Sequence, residues 1–93
     1  MAKFVIKKDG SKEPFDPEKI KQAIRAAAQG ASFPAERTES LVDKVSAVAL
    51  QMAASREEVT TTELKNRILT ELDVTEPSVA EAWREYDRIK GKG

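Results

Sequence analysis

Apolar and polar residues alternate at the start of this chain and then recur every three or four positions to its end. In residues 3–8, Phe4 and Ile6 fall on one face of an extended segment, and Val5 and Lys7 on the other. Asp9-Gly10 follows, a hairpin signal, because glycine accepts the positive φ that tight hairpin turns demand. Lys12 to Phe15 reads as the returning strand; Pro14 has no N–H to give a ladder, so this strand should be short and lie at an edge. Asp16-Pro17-Glu18 then opens a helix. Asp16 suits the N-cap, a position worth about 1 kcal/mol, and Pro17 suits the first helical residue. Ile20, Ala23, Ile24 and Ala27 repeat at helical spacing, and the helix should stop near Gly30.

Ser32-Phe33-Pro34 reads as a linker. The next helix is predicted from about Pro34 to Ala54, with a stripe of Leu41, Val45, Val48 and Met52 broadened by Val42 and Ala49. Arg56 to Thr60 form a connection with Val59 in a short extended piece. Thr60 or Thr61 can cap a third helix, and Thr60-x-x-Glu63 fits a capping box. Leu64, Ile68, Leu69 and Leu72 face inward. A break is predicted over Asp73 to Ser78, then a fourth helix to about Ile89 with Val79, Ala82, Trp83 and Tyr86 as its buried stripe. Gly91 to Gly93 should fray. The fold class is therefore α+β, mostly α: a four-helix bundle capped by a small sheet of two or three strands, with residues 1–93 as a single domain.

Composition narrows the chemistry. Sixteen basic residues balance sixteen acidic ones, which argues against nonspecific binding to duplex DNA and against nucleic acid as a partner. Within residues 3–25, however, seven basic residues stand against four acidic ones. The chain has no cysteine and no histidine. Thiolate and radical chemistry drop out, a zinc site becomes a poor fit, and the commonest general base is missing. The chain is read as no enzyme. No apolar run is long enough to span a membrane, so the expected location is the cytoplasm, with no membrane partner.

The glycines at 10, 30, 91 and 93 cannot build a Walker loop or a Rossmann fingerprint, and no acidic cluster has calcium-loop spacing. What remains is the block 7–20, KKDGSKEPFDPEKI. It can be an ordinary hairpin running into a capped helix with solvated lysines. It can also be an anion site: Lys7 and Lys8 on the strand, Lys19 in the first helical turn and the free N–H groups of that turn could converge on phosphates. The Asp16 carboxylate would repel a phosphate, so it suits the helix cap or a sugar or base group.

Phe4 to Ile20, followed by Ala23-Ile24 and Ala27, closely resembles the opening signature of the ATP-cone domain. That signature runs through a valine, a lysine pair, Asp-Gly, Phe-Asp, Lys-Ile and an Ala-Ile helix. Looser steps at Val59 to Leu64 and Val79 to Tyr86 extend the likeness to the end of the chain. The resemblance implies a third strand near Glu58 to Thr60 and a regulatory sensor that binds ATP or dATP, with magnesium as a companion ion. Such domains occur in ribonucleotide reductases and in a bacterial repressor of reductase genes. Carried over by position, it implies Val5, Lys7 and Lys8 beside the nucleotide, Glu13 and Asp16 near base and sugar, Lys19 at the phosphates and Ile20 as an apolar neighbour. It implies Thr61 and Lys65 on the third helix, and Lys90, or else Arg88, in the phosphate shell. The expected partners are a nucleotide and either a protein or a second copy of the chain. The repressors of this kind contact DNA through a cysteine zinc ribbon, which these residues lack. Family members often carry arginine directly after the last tyrosine; here that residue is Asp87. This departure motivates an alternative, a protein-interaction module with a degenerate nucleotide site.

Overall fold

The computed structural model describes residues 2–90, with the side chain of Lys90 outside that description. The expected fraying of Gly91 to Gly93 also lies outside the described residues. The elements are β1 (Phe4–Ile6), β2 (Lys12–Pro14), α1 (Pro17–Gly30), α2 (Ala35–Ala54), β3 (Glu58–Thr60), α3 (Thr61–Thr75) and α4 (Pro77–Lys90). This is the expected mostly-α fold with a three-stranded sheet.

The sheet order is β2-β1-β3. β1 pairs antiparallel with β2, placing Val5 opposite Glu13, and parallel with β3, placing Val5 beside Val59. Pro14 therefore lies on an edge strand, where its missing N–H costs no ladder bond. The hairpin closes over Lys8, Asp9 and Gly10: the Gly10 N–H donates to the Lys7 carbonyl at 2.9 Å, and the Lys7 N–H to that of Ser11 at 2.8 Å. Gly10 sits at φ +88°, the left-handed position that ends a three-residue hairpin loop.

Local chemistry sets the helix starts. Asp16 accepts the Glu18 N–H at 3.0 Å, with Pro17 in the first turn. Thr60, rather than Thr61, caps α3: its hydroxyl accepts the Glu63 N–H at 3.0 Å, and the Glu63 carboxylate accepts the Thr60 N–H at 3.0 Å. α2 has no side-chain cap.

The helices form a ring in which α1 touches α2 and α4, and α3 touches α2 and α4. Their inner faces close on Ile24, Val42, Val45, Leu72 and Val79, all fully buried, with Val59 of β3 beneath. The stripe of α2 is rotated from the expected one. Thr38, Leu41, Val42, Val45, Ser46, Ala49 and Ala53 are buried, while Val48 and Met52 are half-buried. The two hydroxyls are satisfied within the helix, Thr38 donating to the Pro34 carbonyl at 2.9 Å and Ser46 to that of Asp43 at 3.3 Å.

Three further expectations are corrected. α3 continues through Asp73 to Thr75, and Glu76 alone separates it from α4. Ala23 is exposed, and Ala28 takes its place in the core. Tyr86 is 58% exposed, while Ala80 is fully buried. The α1 surface beside Tyr86 is Ala23, Ala26, Ala27 and Gly30, side chains too short to cover a phenol ring.

Candidate functional site

The pleat of β1 sends Val5 and Lys7 toward the helices and leaves Lys8 in the exposed hairpin loop. The capped start of α1 brings Asp16, Lys19 and Ile20 alongside. The start of α3 adds Thr61 and Lys65. Together, Val5, Lys7, Glu13, Asp16, Lys19, Ile20, Thr61 and Lys65 line one cleft of about 300 Å³ between the sheet and the helix ends. Its volume lies at the lower end of small-molecule sites.

Two expected residues are not part of this assembly. Lys8 does not line the cleft. The Lys90 side chain falls outside the described residues. Arg88, the other basic residue near the end, pairs with Glu85 and borders a separate groove with Pro77 and Ser78. The physical reason is the turn of the helix: Asp87, one position earlier, points at the cleft, and Arg88 is rotated away.

The cations in the cleft are already engaged. Lys7 Nζ lies 3.0 Å from Glu13 Oε2, and Lys19 Nζ lies 3.6 Å from Glu13 Oε1. The hydrogen bond from Lys7, and then the charge of Lys19, hold the Glu13 carboxyl below its ordinary pKa. Lys65 Nζ lies 2.8 Å from Asp87 Oδ2. One carboxylate thus joins the lysine that follows β1 to the lysine of α1, and a second joins α3 to α4. The Thr61 hydroxyl lies 3.4 Å from the Ile6 carbonyl, a long contact that ties α3 to the end of β1. With the cap supplied by Thr60, Thr61 has no capping duty.

The cleft also has an apolar wall that the motif residues alone do not indicate. Phe15, Leu64, Ile68 and Trp83 line the same cleft. Leu64 and Ile68 are core residues, as their spacing predicts, and they also line the cleft. The signal lay in their spacing, since Thr61, Leu64, Lys65 and Ile68 share one helix face. Trp83 is half-buried and borders both this cleft and a neighbouring groove between α1 and α4. Among the described residues, no group of three or more acidic, histidine or cysteine side chains is arranged to hold a metal ion, and no helix is long and apolar enough to cross a membrane.

The sequence of residues 3–92, which contains this cleft, matches the ATP cone domain. The chain belongs to the ATP-cone family. Membership supports a nucleotide-binding regulatory domain. It is similar to the transcriptional repressor NrdR of Acaryochloris marina, 37% identical over 90 residues that cover 92% of this chain and 50% of the relative. The NrdR of Thermosynechococcus vestitus is 35% identical over 89 residues, 91% of this chain and 54% of the relative. That of Bdellovibrio bacteriovorus is 29% identical over 91 residues, 94% and 46%. The chain spans about half the length of these relatives.

These relatives overturn the expectation that nucleic acid is an improbable partner, because they are transcriptional repressors. Balanced charge and missing cysteine describe the surface of these 93 residues alone. They carry no information about the other half of a repressor's length.

Proposed function

We propose that this ATP-cone domain, acting as one unit over residues 1–93, senses ATP or dATP in the cleft between sheet and helix ends and passes the signal to a transcriptional regulator. The observation that carries the reading is the convergence of Lys7, just after β1, with Lys19 of α1 and Lys65 of α3 on one cleft with an apolar wall. The ammonium groups suit a polyphosphate tail, which would take over the role that Glu13 and Asp87 carboxylates play toward them. Ile20, Ile68 and the face of Trp83 suit the adenine ring. Asp16, held at its cap, and Glu13 suit hydroxyl or amino groups of sugar and base. Magnesium would arrive on the phosphates, since the carboxylates of the cleft do not form a metal cage. Binding would draw β1, α1 and α3 together, a shift that a partner or a second copy reads.

Calorimetric titration with ATP, dATP, ADP and GTP, followed by NMR of the lysine side chains, tests this. Saturable binding of adenine nucleotides with shifts at Lys7, Lys19 and Lys65 is expected. Unchanged spectra at millimolar nucleotide would sink the reading. A second reading, an interaction module with a degenerate site, draws on the two carboxylates that neutralise the lysines. Sedimentation with and without ATP separates the two, because that module self-associates regardless of nucleotide.

A further inference from the structure

The three cations of the cleft are matched by three carboxylates, Glu13, Asp16 and Asp87. Asp16 is committed to the start of α1, and Glu13 is shared between two lysines. Asp87 differs from both: among the described residues it pairs with one lysine, Lys65, at 2.8 Å. Lys65 is also the most withdrawn cation of the three, with 25% of its side chain exposed against 50% for Lys7 and 67% for Lys19. An anion in the cleft would gain most from the least hydrated ammonium, and that is the one Asp87 occupies. Asp87 also stands where the cleft adjoins the α1–α4 groove, beside Trp83.

We propose that Asp87 is an affinity-setting residue: its carboxylate competes with a nucleoside polyphosphate for Lys65 and raises the concentration at which the domain responds. The inference rests on the nucleotide reading above. Removing that one charge turns a cleft of balanced charge into a cationic one and frees Lys65 for a phosphate oxygen. The gain should follow the number of phosphates, being largest for ATP, smaller for AMP and absent for adenosine.

The test titrates the 93-residue chain and its Asp87→Asn variant with ATP, AMP and adenosine, read by calorimetry and by the fluorescence of Trp83, the single tryptophan. Asp73→Asn is the control. It removes the same charge from a different pair, Arg84–Asp73 at 2.7 Å, which does not line the cleft. Asp87→Asn should bind ATP about three- to tenfold more tightly, while Asp73→Asn matches the parent. Asp87→Ala gives the same comparison if the amide variant folds poorly by circular dichroism. Equal ATP affinity in parent and Asp87 variants, or an equal gain from Asp73→Asn, overturns the inference and leaves the nucleotide reading standing. Failure of parent and variants alike to bind ATP overturns both.

Discussion

In the helical bundle, Ile24, Val42, Val45 and Leu72 are sealed from water. At the sheet end, Lys7, Glu13 and Lys19 keep 37% to 67% of their side chains exposed. The first region is held by close packing and loss of apolar surface. The second is three strands of three residues each, fastened by ladder bonds, two helix caps and exposed ion pairs. Exposed ion pairs are worth little to stability, so the charged groups of the cleft can change partners without threatening the fold. The contrast teaches where selection for a ligand can act: on groups that the bundle does not need.

The sharpest way to break this contrast is to damage the bundle. Leu72→Ala should cost about 3 kcal/mol in urea unfolding, because its side chain is fully enclosed. A loss below about 1 kcal/mol would mean the core is not closed as described. Next in size, the double variant Lys7→Gln, Lys19→Gln should weaken ATP binding by more than about tenfold while moving unfolding by less than about 0.5 kcal/mol. Parallel loss of both would erase the distinction between the regions. Thr60→Ala acts at the junction, removing the α3 cap and costing about 1 kcal/mol by thermal or urea unfolding. A negligible cost would show that Thr61 can take over the cap.

The smallest effect is the response to acid. Glu13 is held below its ordinary pKa chiefly by the hydrogen bond from Lys7, Glu39 by that from Arg25, Glu63 by the Thr60 N–H, and Asp73 by Arg84. Each binds fewer protons folded than unfolded. Its contribution is therefore complete above the unfolded pKa, about 4.3 for glutamate, and disappears as pH falls through the lower folded value. The urea midpoint should be flat above about pH 5 and decline below about pH 4. Glu13→Gln should soften that decline only slightly, and added salt should shrink it. A midpoint that falls between pH 8 and 6 would contradict the arrangement.

Much of this molecule was readable from local chemistry. Gly10 marks the hairpin, Asp16-Pro17 the start of α1, and Thr60 with Glu63 the start of α3, because each signal acts within a few residues. Lys7, Asp16 and Lys19 were legible in the block 7–20 itself, Val5, Glu13, Ile20, Thr61 and Lys65 through family likeness, and the structure places these eight along one cleft. What escaped depended on contacts between distant elements. Tyr86 falls in step with Trp83, yet the alanines of α1 leave it uncovered. The buried face of α2 runs through Thr38 and Ser46, whose hydroxyls return to their own helix, so polarity misled the count of inward positions. Asp73 to Thr75 carry break signals, but α3 continues and the Glu76 N–H closes on the Leu72 carbonyl at 2.7 Å. The pairing of Lys65 with Asp87 joins two helices and has no trace in either segment alone.

The central place of β1 in the sheet also bears on how the chain comes together. Its hairpin partner is a few residues away, but its parallel neighbour β3 arrives only after two long helices have been laid down. Closing a loop of that length is entropically slow relative to hairpin and helix formation. α3, which follows β3 directly, brings Thr61, Leu64, Lys65 and Ile68 to the cleft, so competence to hold a ligand belongs to the finished topology and to no folding fragment that precedes it.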